Sequence, residues 1–187
     1  MTRGLVLAGG KSSRFGSDKA LAVYEGESFL SRAARILAGL KLDLVITVRE
    51  GASYSVPDGT LLEDCYPEKG PLGGIYTAMR EFPGDDFLVL TCDMPAVDEK
   101  TLLPLIEEYT QRPVLTLYQS LSGQAEPFPG IYPGFLLPVI FRNIFSEKLA
   151  MHELIGALVE KNMVSFQGLP QKLLNVNHHS DLQGLHL

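Results

Sequence analysis

A short apolar segment that stops at two adjacent glycines constrains this chain more than any other feature. Residues 4–21 read GLVLAGGKSSRFGSDKAL, in which Leu5 to Ala8 are apolar and Gly9 and Gly10 end the run. A strand that leads into glycines, serines and cations is typical of loops whose backbone N–H groups surround phosphate oxygens. Adjacent glycines permit a close approach and a positive φ that a side chain would obstruct. The segment predicts a buried first strand followed by an anion-binding loop.

The charge of this loop is opposite to that of the whole chain. Lys11, Arg14 and Lys19 lie within nine residues, whereas the net charge of the chain is −6. Because an acidic protein repels a nucleoside triphosphate, local cations are needed to attract one. The loop matches neither GxxxxGK[ST] nor GxGxxG, and glycines and charges alone also fit a plain turn with solvated cations. As a loop cation, Lys19 is expected to contribute little to stability.

The segment LAGGKSSRFGSDK closely resembles the LAGGxSxRMGxDK signature of the molybdenum cofactor guanylyltransferases, part of a wider superfamily of nucleotidyltransferases. Phe15 stands where that family usually has Met, so one large apolar residue replaces another. Relatives that transfer CMP more often read LAAG, so the two glycines indicate GTP. The resemblance implies that the loop wraps the triphosphate near the base, through Leu7, Ala8, Gly9, Gly10, Arg14, Gly16 and Lys19.

The composition is that of an ordinary globular protein. With 187 residues, 45% of them apolar and 20% charged, the chain is expected to form one domain over 1–187. Its start lacks a secretory signal and no apolar run reaches the length of a membrane span, so we expect a cytoplasmic protein without membrane contact. Cys65 and Cys92 are isolated, which indicates neither a zinc site nor a disulfide framework. An acidic chain without basic clusters argues against a nucleic acid partner.

Apolar runs alternate with helical periodicities along the first two thirds of the chain. Strands are predicted over 3–8, 44–48, 61–62, 87–90 and 114–117. Helices are predicted over 29–39, 72–82, 99–110 and 151–161. Ser28 is expected to cap the helix over 29–39, and Asp98 the helix over 99–110. Four prolines break up residues 125–138, and late strands are predicted at 164–166 and 174–176. This alternation predicts an α/β fold with a doubly wound, mainly parallel sheet. The resemblance implies its three-layer, Rossmann-like nucleotidyltransferase form, and ligands bind such sheets at the carboxyl ends of the strands.

Asp93 follows a buried strand and precedes a Pro-bearing turn in the segment CDMP. An Asp so placed is a good ligand for Mg²⁺, although a turn or helix-cap Asp is common after any strand. The segment also resembles the CDxP metal motif of the guanylyltransferases. Asp93 is therefore the principal candidate to hold Mg²⁺ and to act in catalysis.

Asp64 and the segment GPLGG (70–74) form a third block. Asp64, Gly70, Pro71, Leu72 and Gly74 match the family pattern of an Asp followed by GPLxG, and Gly73 occupies its variable position. The resemblance implies that the block lies against the base and ribose of GTP. A glycine-rich helix start also offers free N–H groups, and a carboxylate can accept from guanine N–H groups. Without the family match, a solvated acidic turn would explain Asp64.

The segment NVNHHSDL resembles the late N[IV]NTPEDL block of the family. Alternation along a strand directs Asn175 and Asn177 to one face and Val176 to the other. Two amides on the face of a site are candidate phosphate or metal ligands, and Asn177 is a candidate second ligand of Mg²⁺. Edge-strand polarity is the alternative explanation. His178 and His179 replace the usual Thr-Pro of the family.

The resemblance implies transfer of GMP from GTP to the terminal phosphate of molybdenum-bound molybdopterin, with release of pyrophosphate. Arg14, Lys19 and Asp93 are the catalytic candidates. A phosphate nucleophile is already anionic, so alignment and charge neutralisation are sufficient without a general base. The substrates imply transient contact with other proteins of molybdenum cofactor assembly. Two alternatives stay open: a related enzyme using CTP or another phosphorylated acceptor, and a non-catalytic GTP-binding module.

Overall fold

The computed structural model describes residues 1–9, 18–120 and 122–185. Gly10, Arg14 and Gly16 of the predicted anion-binding loop lie outside the described residues. The strands are β1 (Thr2–Leu7), β2 (Val23–Tyr24), β3 (Glu27–Ser28), β4 (Leu44–Val48), β5 (Gly59–Glu63), β6 (Asp86–Thr91), β7 (Leu115–Gln119), β8 (Ala125–Tyr132) and β9 (Lys161–Ser165). The helices are α1 (Phe29–Gly39), α2 (Pro71–Glu81), α3 (Glu99–Gln111), α4 (Leu137–Phe145) and α5 (Met151–Ala157).

A seven-stranded sheet forms the middle layer, in the order β5-β4-β1-β6-β8-β7-β9. Strand β8 is antiparallel to both of its neighbours, whereas the other adjacent pairs are parallel. Strands β2 and β3 form a separate antiparallel pair. The mainly parallel α/β sheet predicted from the sequence is therefore confirmed.

Two apolar clusters cover the two faces of the sheet. Helices α1 and α3 pack on one face against Val6 and Ile46, and α2, α4 and α5 pack on the other against Leu5 and Val45. Neighbouring residues of β1 and β4 thus point to opposite layers, as the pleat of a strand requires. The result is three layers with parallel strands buried on both faces.

Two predicted helix starts are confirmed by their caps. The Ser28 hydroxyl accepts from the backbone N–H of Ser31 at 3.1 Å, and the Asp98 carboxylate accepts from that of Thr101 at 2.8 Å. Partial burial acts to raise the pKa of Asp98, but hydrogen bonds from Lys172 and Thr101 lower it to about 2. The same carboxylate therefore caps α3 and anchors the chain near residue 172.

The prolines of 125–138 do not prevent regular structure, contrary to the sequence prediction. Between the paired positions Tyr118–Glu126 and Leu117–Gly130 the register of β7 and β8 shifts, so Pro127 and Pro129 fall in an irregular stretch of the ladder. Proline is tolerated at a bulge because no ladder N–H is required there. Pro138 lies in the first turn of α4, where helical N–H groups have no partner in any case.

Two late predictions were wrong in extent or type. The helix predicted over 151–161 ends at Ala157, because the chain turns there to enter β9. Residues 174–176 do not form a strand. The backbone N–H of Val176 instead donates to the carbonyl of Asp93 at 2.8 Å, which ties this segment to the end of β6.

Candidate active site

The carboxyl ends of four adjacent parallel strands bring together three residues singled out in the sequence, Gly9, Asp64 and Asp93, and a fourth that was not, Arg49. Gly9 follows β1, Arg49 follows β4, Asp64 follows β5, and Asp93 follows β6 by two residues. Because parallel strands end at the same edge of a sheet, these residues share one edge, as the doubly wound fold predicts.

Lys19, Asp93 and Asn177 form a hydrogen-bonded cluster at this edge. The Lys19 ammonium donates to Asp93 Oδ2 at 2.8 Å and to Asn177 Oδ1 at 3.1 Å. The side chains of Lys19 and Asp93 are only 15% and 21% exposed. Three residues proposed from separate sequence blocks thus meet, and partial burial strengthens the attraction between the charges of Lys19 and Asp93.

The backbone around Asp93 is held on both sides. The N–H of Met94 donates to the Thr91 carbonyl at 3.3 Å and closes a turn, while the Asp93 carbonyl accepts from Val176. Among the described residues, Asp93 Oδ1 is buried without a hydrogen-bond partner. A buried carboxylate oxygen that lacks a partner normally has one in the working state, such as water, a cation or a ligand.

Asn177 is positioned by a turn that Asp181 closes. Asp181 Oδ2 accepts from the backbone N–H groups of Asn177 and His178 at 2.7 and 2.8 Å. Both bonds lower the pKa of Asp181, and the bond from His178 has the larger effect. Val176 is fully buried, whereas Asn175 is exposed, and no hydrogen bond described in this structure joins Asn175 to Lys19 or Asp93. The supporting role predicted for Asn175 remains a prediction.

Asp64 lies beside the start of the glycine loop. Its Oδ1 accepts from the backbone N–H of Tyr66 at 2.8 Å and from the Thr77 hydroxyl at 3.4 Å. A Cβ added at Gly9 would lie 3.7 Å from Asp64 Oδ2, so the second oxygen faces the loop. Burial raises the pKa of Asp64 although both hydrogen bonds oppose the shift. One carboxylate oxygen is thus held by the protein and the other faces the loop.

The glycines of the GPLGG segment allow α2 to begin close to Asp64. Gly70 has φ +60° and ψ −146°, a conformation that side chains rarely adopt, and it precedes the first turn of α2. A Cβ at Gly74 would lie 2.9 Å from Leu7 Cδ2 and 2.7 Å from Thr47 Oγ1. A Cβ at Gly73 would collide with the Tyr66 carbonyl oxygen and lie 2.8 Å from Asp64 Oδ1. Gly73, which the motif treats as variable, is therefore the most tightly constrained of the three.

Sequence reasoning missed three residues of this region, of which two lie outside every motif and one lies inside a motif. Arg49 and Tyr54 contact the side chain of Asp18, and Asp181 holds Asn177. Arg49 and Tyr54 belong to the connection between β4 and β5, which has no motif. Asp181 lies inside the NVNHHSDL segment, at the third position of the short helix that starts at His179, from which an acidic side chain can reach back to the backbone N–H groups before the helix.

Replacing Asp64 by asparagine is expected to stabilise the protein at neutral pH. Asparagine keeps an oxygen for Tyr66 and Thr77 but removes a charge that burial disfavours. Because the pKa of Asp64 is raised on folding, ionisation costs stability above that folded pKa, and the cost disappears below the unfolded pKa of about 3.9. Thermal melts of Asp64→Asn and the native protein at pH 7 and pH 3.5 check this. An equal gain at both pH values, or a loss at pH 7, would contradict it.

The MobA-like NTP transferase domain family model matches residues 4–161. The chain belongs to this family. A probable molybdenum cofactor guanylyltransferase of Flavobacterium johnsoniae is 29% identical over 184 residues, which cover 97% of this chain and 95% of that protein. A probable molybdenum cofactor guanylyltransferase of Bacillus subtilis is 28% identical over 189 residues, which cover 97% of this chain and 92% of that protein. The predicted resemblance is thereby confirmed, and the protein is a nucleotidyltransferase.

Solved structures share the fold of this family member. Molybdopterin-guanine dinucleotide biosynthesis protein A from Archaeoglobus fulgidus superimposes with a TM-score of 0.79 at 19% identity, covering 99% of this chain and 96% of that one. The 2-C-methyl-D-erythritol 4-phosphate cytidylyltransferase of Thermus thermophilus gives 0.71 at 14% identity, covering 99% and 97%. Among the helices described here, none is both long and apolar enough to cross a membrane.

Proposed function

We propose that this protein transfers GMP from GTP to the terminal phosphate of molybdenum-bound molybdopterin and releases pyrophosphate. The observation that carries the proposal is the cluster of Lys19, Asp93 and Asn177 at the same edge of the sheet as Gly9 and Asp64. A cation, a carboxylate and an amide at the carboxyl edge of the sheet suit the binding of a metal-bound triphosphate. The names of the relatives support guanylyl as the transferred group.

The reaction needs alignment and charge neutralisation more than acid–base chemistry. A phosphate oxygen of the acceptor forms a bond to the α-phosphorus of GTP, and the bond from that phosphorus to the bridging oxygen breaks. The electron pair leaves with pyrophosphate, and no proton has to be removed from the nucleophile. Lys19 neutralises charge on the phosphates as the leaving group departs. Arg14 is proposed for the same task on family resemblance alone, since it lies outside the described residues.

Asp93 and Asn177 are the proposed ligands of Mg²⁺. Their oxygens are the donor type that Mg²⁺ prefers, and the buried Oδ1 of Asp93 lacks a partner among the described residues. No group of three or more His, Cys, Asp or Glu side chains suited to a metal occurs in the part of the chain that the structure describes. This suits Mg²⁺, which is commonly held by one or two protein oxygens together with water and substrate phosphates. The bound ion would neutralise phosphate charge.

GTP is expected to be preferred over the other triphosphates. Guanine presents N1–H and N2–H₂ donors, and Asp64 has one oxygen facing the glycine loop that can accept from them. The carbonyls around Gly9, Gly70 and Gly74 are further candidate acceptors. A buried acceptor left unpaired by the wrong base costs ~1–3 kcal/mol, or roughly tenfold to a hundredfold in affinity. Titrations of GTP, CTP, ATP and UTP at fixed Mg²⁺ measure this preference.

The assignment of the base reader is tested by the same titrations on Asp64→Asn. The variant should lose most of the preference for GTP while retaining affinity for triphosphates in general. Glu63→Gln is the matched control, since Glu63 is the exposed neighbour of Asp64. Tighter binding of CTP than GTP by the native protein would move this chain to the cytidylyl-transferring enzymes.

Pyrophosphate release with each triphosphate, with and without molybdopterin, tests the function itself. We expect release only when GTP, acceptor and Mg²⁺ are all present, with a product whose mass is that of the guanine dinucleotide. Binding of GTP without release under these conditions would favour a non-catalytic GTP-binding module. Release with CTP alone among the triphosphates would identify the related cytidylyltransferase activity.

A further inference from the structure

Asp18, the residue before Lys19, is held by three hydrogen bonds. Its Oδ1 accepts from the backbone N–H of Ala20 at 3.1 Å, which caps the single helical turn Lys19–Leu21. Its Oδ2 accepts from the Tyr54 hydroxyl at 2.6 Å and from Arg49 Nη2 at 2.9 Å. One oxygen thus sets the turn that carries Lys19, and the other attaches this turn to the connection between β4 and β5.

These contacts also decide where the Lys19 ammonium goes. A lysine next to an unpaired carboxylate would be attracted to it. Asp18, however, already accepts a hydrogen bond from the Tyr54 hydroxyl and forms an ion pair with Arg49. The carboxylate is also largely buried, since the Asp18 side chain is 18% exposed. Lys19 instead reaches across to Asp93 at 2.8 Å. Because Asp18 Oδ2 already accepts two hydrogen bonds, the Lys19 ammonium is directed toward Asp93 and Asn177 instead.

Tyr54 is suited to this task because it is half-buried and remains protonated. Its ring packs against the apolar cluster under α1. Burial is the main cause that raises the pKa of its hydroxyl, and the hydrogen bond to Asp18 raises it further. The hydroxyl therefore stays a donor at neutral pH. The Arg49 side chain is 51% exposed, so solvent screens its charge and its position is less fixed than that of Tyr54. The tyrosine therefore supplies the more rigid of the two contacts.

We propose that Tyr54 is a positioning residue for nucleotidyl transfer, which acts through Asp18 to hold Lys19 in place. The proposal rests on the proposed role of Lys19 at the phosphates. A misplacement of about 1 Å in a catalytic group can cost as much as ~10²-fold in rate. Because Arg49 still holds Asp18 when the hydroxyl is lost, the expected effect of Tyr54→Phe is smaller, on the order of tenfold in kcat.

The first test compares Tyr54→Phe with Tyr109→Phe. Tyr109 is the matched control because it is a buried tyrosine whose pKa is raised by burial and by the nearby carboxylate of Asp86, which lies at the start of β6 and away from the site. We expect Tyr54→Phe to lower kcat ~10-fold with KM for GTP changed less than ~3-fold, because the placement of Lys19 affects the transition state most. Tyr109→Phe should keep native kcat. A purely structural role would lower the melting temperature of both variants and leave kcat per folded molecule unchanged, which would overturn the proposal.

The second test is a double-mutant cycle with Asp18→Ala. If Tyr54 acts through Asp18, the double variant is no slower than Asp18→Ala alone, whereas independent effects multiply. Multiplied effects would overturn the proposal. Should Asp18→Ala be poorly folded, Asp18→Ser, which keeps a capping oxygen, takes its place in the cycle.

The cycle is run on two quantities so that its outcome does not depend on the acceptor. One is kcat with GTP and molybdopterin, and the other is the dissociation constant for GTP, or for whichever triphosphate the native protein binds most tightly. An inactive native protein contradicts the proposed function. The positioning role of Tyr54 is then judged by whether Tyr54→Phe causes the small weakening of triphosphate binding that its first test allows, roughly twofold to threefold, in the native background but not in Asp18→Ala. No weakening in the native background would contradict the role. Equal weakening in both backgrounds would overturn it.

Discussion

Replacing Lys19 by methionine is expected to lower kcat for guanylyl transfer by ~10²–10³-fold, the usual cost of removing one preorganised charge contact. Methionine keeps the length of the side chain but loses the ammonium that reaches Asp93 and Asn177. Pyrophosphate release at saturating GTP and acceptor measures the loss. Turnover near that of the native protein would remove Lys19 from the mechanism.

The same substitution is now expected to lower stability as well, which corrects the expectation drawn from the sequence. A lysine in a loop is normally exposed, but the Lys19 side chain is 15% exposed and pairs with a partly buried Asp93. Removal leaves a carboxylate without its cation at a cost of about 1–3 kcal/mol, between the values for exposed and buried pairs. Thermal melts measure this cost.

Arg3→Met is the matched control for the lysine variant. Arg3 pairs with Asp85 at 2.7 Å, and their side chains are 18% and 20% exposed, close to the values for Lys19 and Asp93. This pair lies at the opposite edge of the sheet, before β6 begins. Arg3→Met should lose comparable stability while kcat stays at the native level. A comparable fall in kcat would mean that the effect of Lys19→Met is general destabilisation.

Replacing Asp93 by asparagine is expected to reduce turnover by at least ~10²-fold and to abolish its dependence on Mg²⁺. Asparagine is nearly isosteric but carries no charge for a divalent cation or for Lys19. Binding of GTP should survive in part, because the glycine loop and Asp64 are untouched. Pyrophosphate release across a Mg²⁺ titration and equilibrium binding of GTP separate these effects.

Asp85→Asn is the control for the aspartate variant, since Asp85 has a similar exposure and also pairs with a cation. It should retain both turnover and the dependence on Mg²⁺. Full activity of the native protein in excess chelator would contradict a metal held by Asp93.

The parts of the fold that follow local patterns were predictable from the sequence. Strand β4 and helix α1 depend on a continuous apolar run and on a capped amphipathic period, both of which are local. Strand β8 was not predicted, because proline signals a break in the chain but does not reveal that a bulge will accommodate it. The segment around Val176 was predicted as a strand because alternation of burial does not distinguish pairing with a sheet from pairing with a loop.

Sequence motifs identified the residues proposed to contact substrate or metal directly. They did not identify residues that only position another side chain. Lys19, Asp93 and Asn177 were identified from three motifs, and the structure brings their side chains together. Tyr54 lies 36 residues from the Asp18 side chain that it contacts, and nothing in its local sequence indicates the pairing. The constraint on Gly73 depends on how closely the Tyr66 carbonyl approaches it, which a sequence does not record.

The hydrogen bond between Lys19 and Asn177 has a consequence for the protein during its synthesis. The two residues are separated by 158 positions, so they emerge from the ribosome at very different times. At about 5–20 residues per second, translation needs roughly 8–30 s to cover that interval. Asp93 follows Lys19 by 74 positions, so during the second half of this interval both partners of the ion pair have been made while Asn177 has not. A nascent chain therefore carries Lys19 and Asp93 without the complete cluster, and the hydrogen bond from Lys19 to Asn177 forms only after the late segment has left the exit tunnel.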